Sequence, residues 1–309
     1  MRNFRLSCLP LALALPLITC DTYVGTKLSN FTRTYITDSP FPYYRVARVD
    51  LYIVSVSASI SPDTSATNAS FVTLATPNRS INVLALQNGL HDELGAVVLP
   101  AGTITAVRMV IDTDSSSITL KSGAVLTGKT TPGIQWQSSA GRPVLNALVD
   151  DKISVPDEGG VVVIDYDVGE AFIPPQVLDP ASTDSGFIFS PVMRAVDAFK
   201  AGWITGTVRA KSATGLAVTD ASLQLYLGQP ASAENTWIRL GTAKTDANGV
   251  FRFASVTRSA YWAQIPAHSA ETYIITFDAP PNSGLGRIVL PNISVSAATE
   301  TATGTTVLP

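Results

Sequence analysis

Two carboxylates in the stretch VVVIDYDVGE, Asp165 and Asp167, stand two residues apart in a valine-rich run. If the run is a strand, period-two alternation turns both toward one face. Asp112 and Asp114 repeat the spacing at the end of another apolar run. Paired carboxylates suit calcium, which makes Asp165 and Asp167 its candidate ligands. The ion takes roughly six to eight oxygens, however, and no D-x-D-x-D-G loop follows either pair. The expectation is therefore no bound metal. A glycosidase also needs two carboxylates, set across a cleft that nothing in the sequence marks. Arg108 in TAVRMVI and Arg194 in SPVMRAV interrupt apolar runs. Charges in such runs face solvent or are paired. Two readings stand: Arg108 or Arg194 forms a structural ion pair with Asp165 or Asp167 across a sheet, or all four lie on a wet face.

Other chemistry is thinly represented. The chain has 2 histidines, His91 and His268. His91 stands beside Asp92 and Glu93, as in a solvated turn. G-x-S-x-G, H-E-x-x-H and S-x-x-K constellations are absent, as is a Gly-rich phosphate loop. No catalytic residue and no cofactor are expected. Of the 4 tryptophans, Trp136 lies in a Gly/Ser/Gln loop between Gln135 and Gln137. A flat indole flanked by amides can stack on a sugar, so Trp136, Gln135 and Gln137 are the candidate ligand-binding residues; the competing reading is a loop anchor packed on the core. N-x-S/T sequons at Asn30, Asn68, Asn78 and Asn292 would matter in a glycosylating host.

The elements that must position these residues read as strands. YYRVARVDLYIVSVSASI (43–60) is a long β-branched run with no helical spacing. FVTLAT (71–76), INVLAL (81–86), SITLKSGAVL (117–126), KISVPDEGGVVVIDYDV (152–168) and GFIFSPVMRAV (186–196) continue the pattern. VVLPAGTITAVRMVID (97–112) reads as a hairpin-like unit turning at Pro100 and Gly102. After residues 197–202 the pattern restarts, with short strands at close spacing through GRIVLPNISVS (286–296). Residues 21–36, Thr-rich and weakly patterned, read as a tether, and the end of the chain as a frayed tail or an edge strand.

Composition sets the outer bounds. At 309 residues, with 46% hydrophobic and only 15% charged, the chain can build a sizeable core. A net charge of -3 offers no basic surface for nucleic acid. The beginning of the chain is more informative. Arg2 and Arg5 precede an apolar stretch from Leu6 to Ile18, as in a secretory signal. The stretch is shorter than the roughly 20 residues of a membrane span, and Pro10 and Pro16 disfavour a spanning helix. With Cys8 inside that signal, Cys20 would be the sole cysteine of the mature chain and could form no internal disulfide.

LITC (17–20) resembles the lipobox of bacterial lipoproteins, in which cleavage leaves a lipidated cysteine at the new N-terminus. Leu17 fits and Thr19 departs from the usual Gly, Ala or Ser. The resemblance implies a lipid anchor on Cys20. The set NVLALQNG, LPAGTITAVRMVI, IDYDV and FSPVMRAV, over about residues 32–197, resembles a bacterial surface-lipoprotein family whose domain has no assigned function. ITGTV followed by TDANGVFRF resembles the carboxypeptidase-regulatory-like, or transthyretin-like, β-sandwich over about 202–296. Members of that family commonly serve as spacers or binding modules and carry no catalytic residues of their own.

The expected protein is all-β: two consecutive β-sandwich, Greek-key-like domains after an N-terminal signal segment. Its parts are a signal peptide (1–19), a lipidated tether (20–36), a first sandwich (37–197), a second (202–296) and a C-terminal tail (297–309). The expected role is non-enzymatic, structural or adhesive, on the periplasmic or cell-surface side of a membrane. The partners are the membrane itself, through acyl chains, and a glycan or surface protein, with no nucleic acid. The alternatives are a carbohydrate- or peptide-binding module around Trp136 and a hydrolase with an unrecognised site.

Overall fold

The computed structural model describes residues 31–38, 45–60, 71–87, 90–137, 141–149, 152–174, 186–211, 215–228, 230–256, 272–295 and 300–309. The first half contains β1 (Thr32–Asp38), β2 (Val46–Ser59), β3 (Phe71–Ala75), β4 (Arg79–Asn82), β5 (Asp92–Val97), β6 (Gly102–Ile104), β7 (Ala106–Leu120) and β8 (Val125–Leu126). It continues with β9 (Ile134–Gln135), β10 (Val144–Val149), β11 (Ile153–Val155), β12 (Val161–Tyr166), the single turn α1 (Val168–Ala171), β13 (Phe172–Ile173), β14 (Phe187–Phe189) and β15 (Met193–Asp197). The second half contains β16 (Gly202–Ala210), β17 (Ser222–Gly228), β18 (Ile238–Lys244), β19 (Val250–Val256), β20 (Thr272–Asp278), β21 (Ile288–Ile293) and β22 (Glu300–Leu308). The chain is all-β in sandwich-like modules.

A large sheet in the order β3-β2-β7-β10-β15-β12-β1-β5 frames the first module. Its spine is the antiparallel pairing of the two longest strands, β2 and β7, whose β-branched residues suit a pleated, half-buried surface. Strand β12 is buried on both faces, which explains its nearly continuous apolar run. Val162, Ile164 and Tyr166 enter the main core with Ile36, Met109 and Ile111. Val161 and Val163 turn the other way and pack with Val196, Ala198 and Ala201. Each fully buried side chain of this size contributes about 1.5–3 kcal/mol.

The structure corrects the tether. Residues 32–36 belong to β1, an internal strand parallel to β12 and antiparallel to β5. Thr32, Thr34 and Ile36 are fully buried there. Threonine is polar yet β-branched, so a Thr-rich segment packs into a sheet interior when both neighbouring strands take its backbone groups. The hairpin-like unit at 97–112 is corrected too: β6 pairs with β11, and β7 with β2, β8 and β10. INVLAL is likewise divided, β4 ending at Asn82 and a 3-10 turn occupying Val83–Leu86.

In the second module, sheet β19-β16-β22 faces sheet β18-β17-β20-β21 across a core that includes Phe251, Phe277, Leu223 and Ile275. The TDANG turn closes through Asp246, whose Oδ1 accepts the backbone N–H groups of Asn248 and Val250, each at 2.8 Å. Gly249 takes φ +74°, and a Cβ there would meet the Val208 carbonyl oxygen at 2.5 Å. The C-terminal tail is corrected to its edge-strand alternative. Strand β22 runs parallel to β16 and buries Leu308 completely, so the sandwich extends past residue 296.

Candidate functional site

The parallel strands β1 and β12 end side by side, with Asp38 opposite Tyr166 in register. Beyond β12 the chain turns into α1, which Asp167 caps: its Oδ1 accepts the Glu170 backbone N–H at 3.0 Å. The D-V-G-E spacing places an N-cap acceptor three residues before Glu170, as in a capping box. The Val168 N–H is donated instead to Asp38 Oδ1, at 3.0 Å. Asp38, Asp165 and Asp167 thus converge at one end of the sheet.

Two arginines answer them. Arg194 on β15 stands opposite Asp165 in the antiparallel register, and its Nη2 donates to Asp165 Oδ2 at 2.5 Å. Both side chains are largely buried, so the pair is poorly screened. Arg239 comes from β18 of the second module and forms an ion pair with Glu170. That contact joins the modules beside the cap.

Ionisation follows this geometry. Burial, with the nearby Asp165 charge, pushes the Asp167 carboxyl up to about 6, against the pull of Arg239 and Arg194. Asp38 rises well above the ordinary carboxylate range, chiefly by burial and further by Asp167 and Asp165, while the Val168 N–H and Gln87 oppose the rise. The Tyr166 hydroxyl is raised by burial and by Asp38 and Asp167. Among the described residues, Asp38 Oδ2 and the Tyr166 hydroxyl have no hydrogen-bond partner. Such groups are costly when charged, and a protonated Asp38 avoids that cost.

Arg108 does not reach the carboxylates, because β10 and β15 lie between β7 and β12. Its Nε donates to Asn146 Oδ1 at 3.1 Å, and its guanidinium lies 3.8 Å from the Phe71 ring centre. Of the four combinations weighed, the structure brings together Arg194 and Asp165. As for calcium, Asp165 is engaged by Arg194 and Asp167 by its cap, and the described residues contain no group of three or more His, Cys, Asp or Glu able to hold a metal. Asp112 accepts from Arg142 at 3.0 Å, which holds its carboxyl below the ordinary range.

Trp136 packs on the core rather than standing as a free platform. Its ring centre lies 4.7 Å from that of Phe189 and 6.1 Å from that of Phe172. A Cβ on Gly128 would come within 2.8 Å of its Nε1, so that glycine makes room for the indole. Gln135 and Gln137 are exposed. His91 meets Tyr35 edge-on with ring centres 5.0 Å apart. Cys20, His268 and Trp262 lie outside the described residues.

Sequence reasoning missed Asp38, Glu170 and Arg239. The capping-box spacing D-x-x-E was a readable sign of Glu170. Asp38 carried no local sign, and its place beside Tyr166 comes from a parallel pairing of strands more than a hundred residues apart. Arg239 carried no local sign.

The DUF4382 family, a domain of unknown function, matches residues 32–191. No curated protein matches the chain. Among solved structures, the shaft pilin SpaA from Lactobacillus rhamnosus GG is similar at 12% identity, over 90% of this chain and 97% of that one, with a TM-score of 0.25. A streptococcal ancillary pilin is similar at 11% identity, over 89% and 62% of the chains, with a TM-score of 0.21. A 9R-lipoxygenase from Cyanothece PCC8801 is similar at 16% identity, with a TM-score of 0.24. That likeness covers 36% of this chain and 17% of the lipoxygenase.

Proposed function

This chain belongs to the DUF4382 family, and we propose that it is a membrane-anchored lipoprotein with a structural or adhesive role on the periplasmic or cell-surface side. The observation that carries the structural part is the use made of the charged groups. Arg194 is taken up by Asp165, Asp167 caps α1, and Glu170 binds Arg239 of the next module. These groups join strands and modules to one another. The resemblance of the second module to the carboxypeptidase-regulatory-like sandwich supports a spacer role, with its TDANG turn closed by Asp246.

Anchoring rests on LITC and Cys20. No helix among the described residues is long and apolar enough to cross a membrane. Acyl chains on Cys20, at about 0.8 kcal/mol per buried methylene, would hold the modules to a bilayer without one. Expression in a bacterium that processes lipoproteins, with membrane fractionation and mass spectrometry of the mature N-terminus, tests this. The expected result is membrane-associated protein beginning at an acylated Cys20, and release of Cys20→Ala into the soluble fraction. A chain that keeps Met1, or a Cys20→Ala variant that fractionates with the membrane as wild type does, refutes the anchor.

A further inference from the structure

We propose that the contact between α1 and β18 is a proton-controlled latch, in which proton uptake by Asp167 loosens the hold of the first module on the second. The proposal concerns the modules themselves and does not depend on lipidation.

The geometry places three roles at one point. Asp167 caps α1 from its first turn, Glu170 leaves the same turn toward the second module, and Arg239 arrives from β18 to meet it. The Arg239 charge also acts on Asp167, pulling its carboxyl toward the ionised form. Linkage makes this reciprocal: if a docked Arg239 favours ionised Asp167, ionised Asp167 favours a docked Arg239 to the same extent. The arginine is paired with Glu170 and further attracted by ionised Asp167, and a proton on Asp167 removes that attraction. The other groups facing Asp167 act from fixed positions inside the first module. These are Asp165 and Tyr166 on β12, Asp38 at the end of β1, and Arg194 on β15. Asp165 repels the Asp167 charge and Arg194 attracts it, while Asp38 is raised by the same cluster. Among the described residues that act on Asp167, Arg239 is the one that belongs to the other module, and it couples this titration to docking. The window lies near pH 6, where Asp167 titrates.

Single-molecule energy transfer on the full chain tests the latch. Cys8→Ala and Cys20→Ala remove the native thiols, and Ser122→Cys and Ser283→Cys place labels at exposed positions of the two modules. The expected result is a narrow distance distribution at pH 7.5, with the undocked fraction rising by up to about fivefold at pH 5, the most a half-exposed ion pair supplies. Asp167→Asn should give the loosened distribution at both pH values, and circular dichroism should show it folded. Arg239→Gln lies at the surface of the contact and should also lose the pH response. Identical wild-type distributions at the two pH values, or a pH response that survives in either variant, overturns the proposal.

Discussion

Replacing Asp167 by Asn should make the protein more stable at neutral pH, although it removes a charge that two arginines attract. The folded state holds the Asp167 carboxyl at about 6, against an ordinary value of 3.8. At about 1.4 kcal/mol per unit, keeping the ionised form in place costs about 3 kcal/mol above the window. The folded state binds the Asp167 proton more tightly than the unfolded chain does. Stability therefore falls as pH rises from about 4 through the folded value, and the full cost is present above it. About half of the cost remains at pH 5, so Asp167 should make the wild type about 1.4 kcal/mol more stable at pH 5 than at pH 7.5. Asparagine retains an Oδ1 that can accept the Glu170 N–H, so the cap survives. Urea unfolding of both proteins at the two pH values checks this. The variant should be more stable at pH 7.5 by up to about 3 kcal/mol, and its pH slope should be smaller than the wild type's by the Asp167 share. Asp38 titrates with the same sign in both proteins and is raised less once the Asp167 charge is gone, so the difference between the proteins reports Asp167 together with its coupling to Asp38. A variant no more stable than wild type at pH 7.5, or one with an undiminished slope, refutes the reasoning. Stability and docking thus respond oppositely to this proton.

Arg194→Met leaves Asp165 without its cation in a largely buried setting and should cost about 3 kcal/mol in equilibrium unfolding. The double variant with Asp165→Asn should recover much of the loss, because no unpaired charge remains. Gly249→Ala forces a side chain into positive φ against the Val208 carbonyl, and should lower the stability of the second module by about 1–3 kcal/mol, read as a lower thermal midpoint.

The acidic cluster was legible in part. The alternation in VVVIDYDVGE made Asp165 and Asp167 neighbours, and the arginine in SPVMRAV asked for a partner. Whether that partner was Asp165 depended on register: β12 and β15 pair antiparallel with Asp165 opposite Arg194. Arg108 had an equal claim by local pattern and lost it because strand order inserts β10 and β15 between it and β12. Asp38 and Arg239 were not legible, since one arrives by parallel pairing and the other from a different module. The tether was misread because threonine content signals polarity before it signals β-branching.

What the sequence determined alone was the class of local structure: β-branched alternation, Gly/Pro/Asp punctuation and the TDANG turn are local signals, and local sterics set them. They were enough for an all-β chain that restarts near residue 202. Tertiary structure alone decided which strands meet, and hence which charges are paired, buried or shifted. Strand pairing joins residues distant in the chain, and Asp167 owes its ionisation to burial and to charges gathered from β12, β15 and β18.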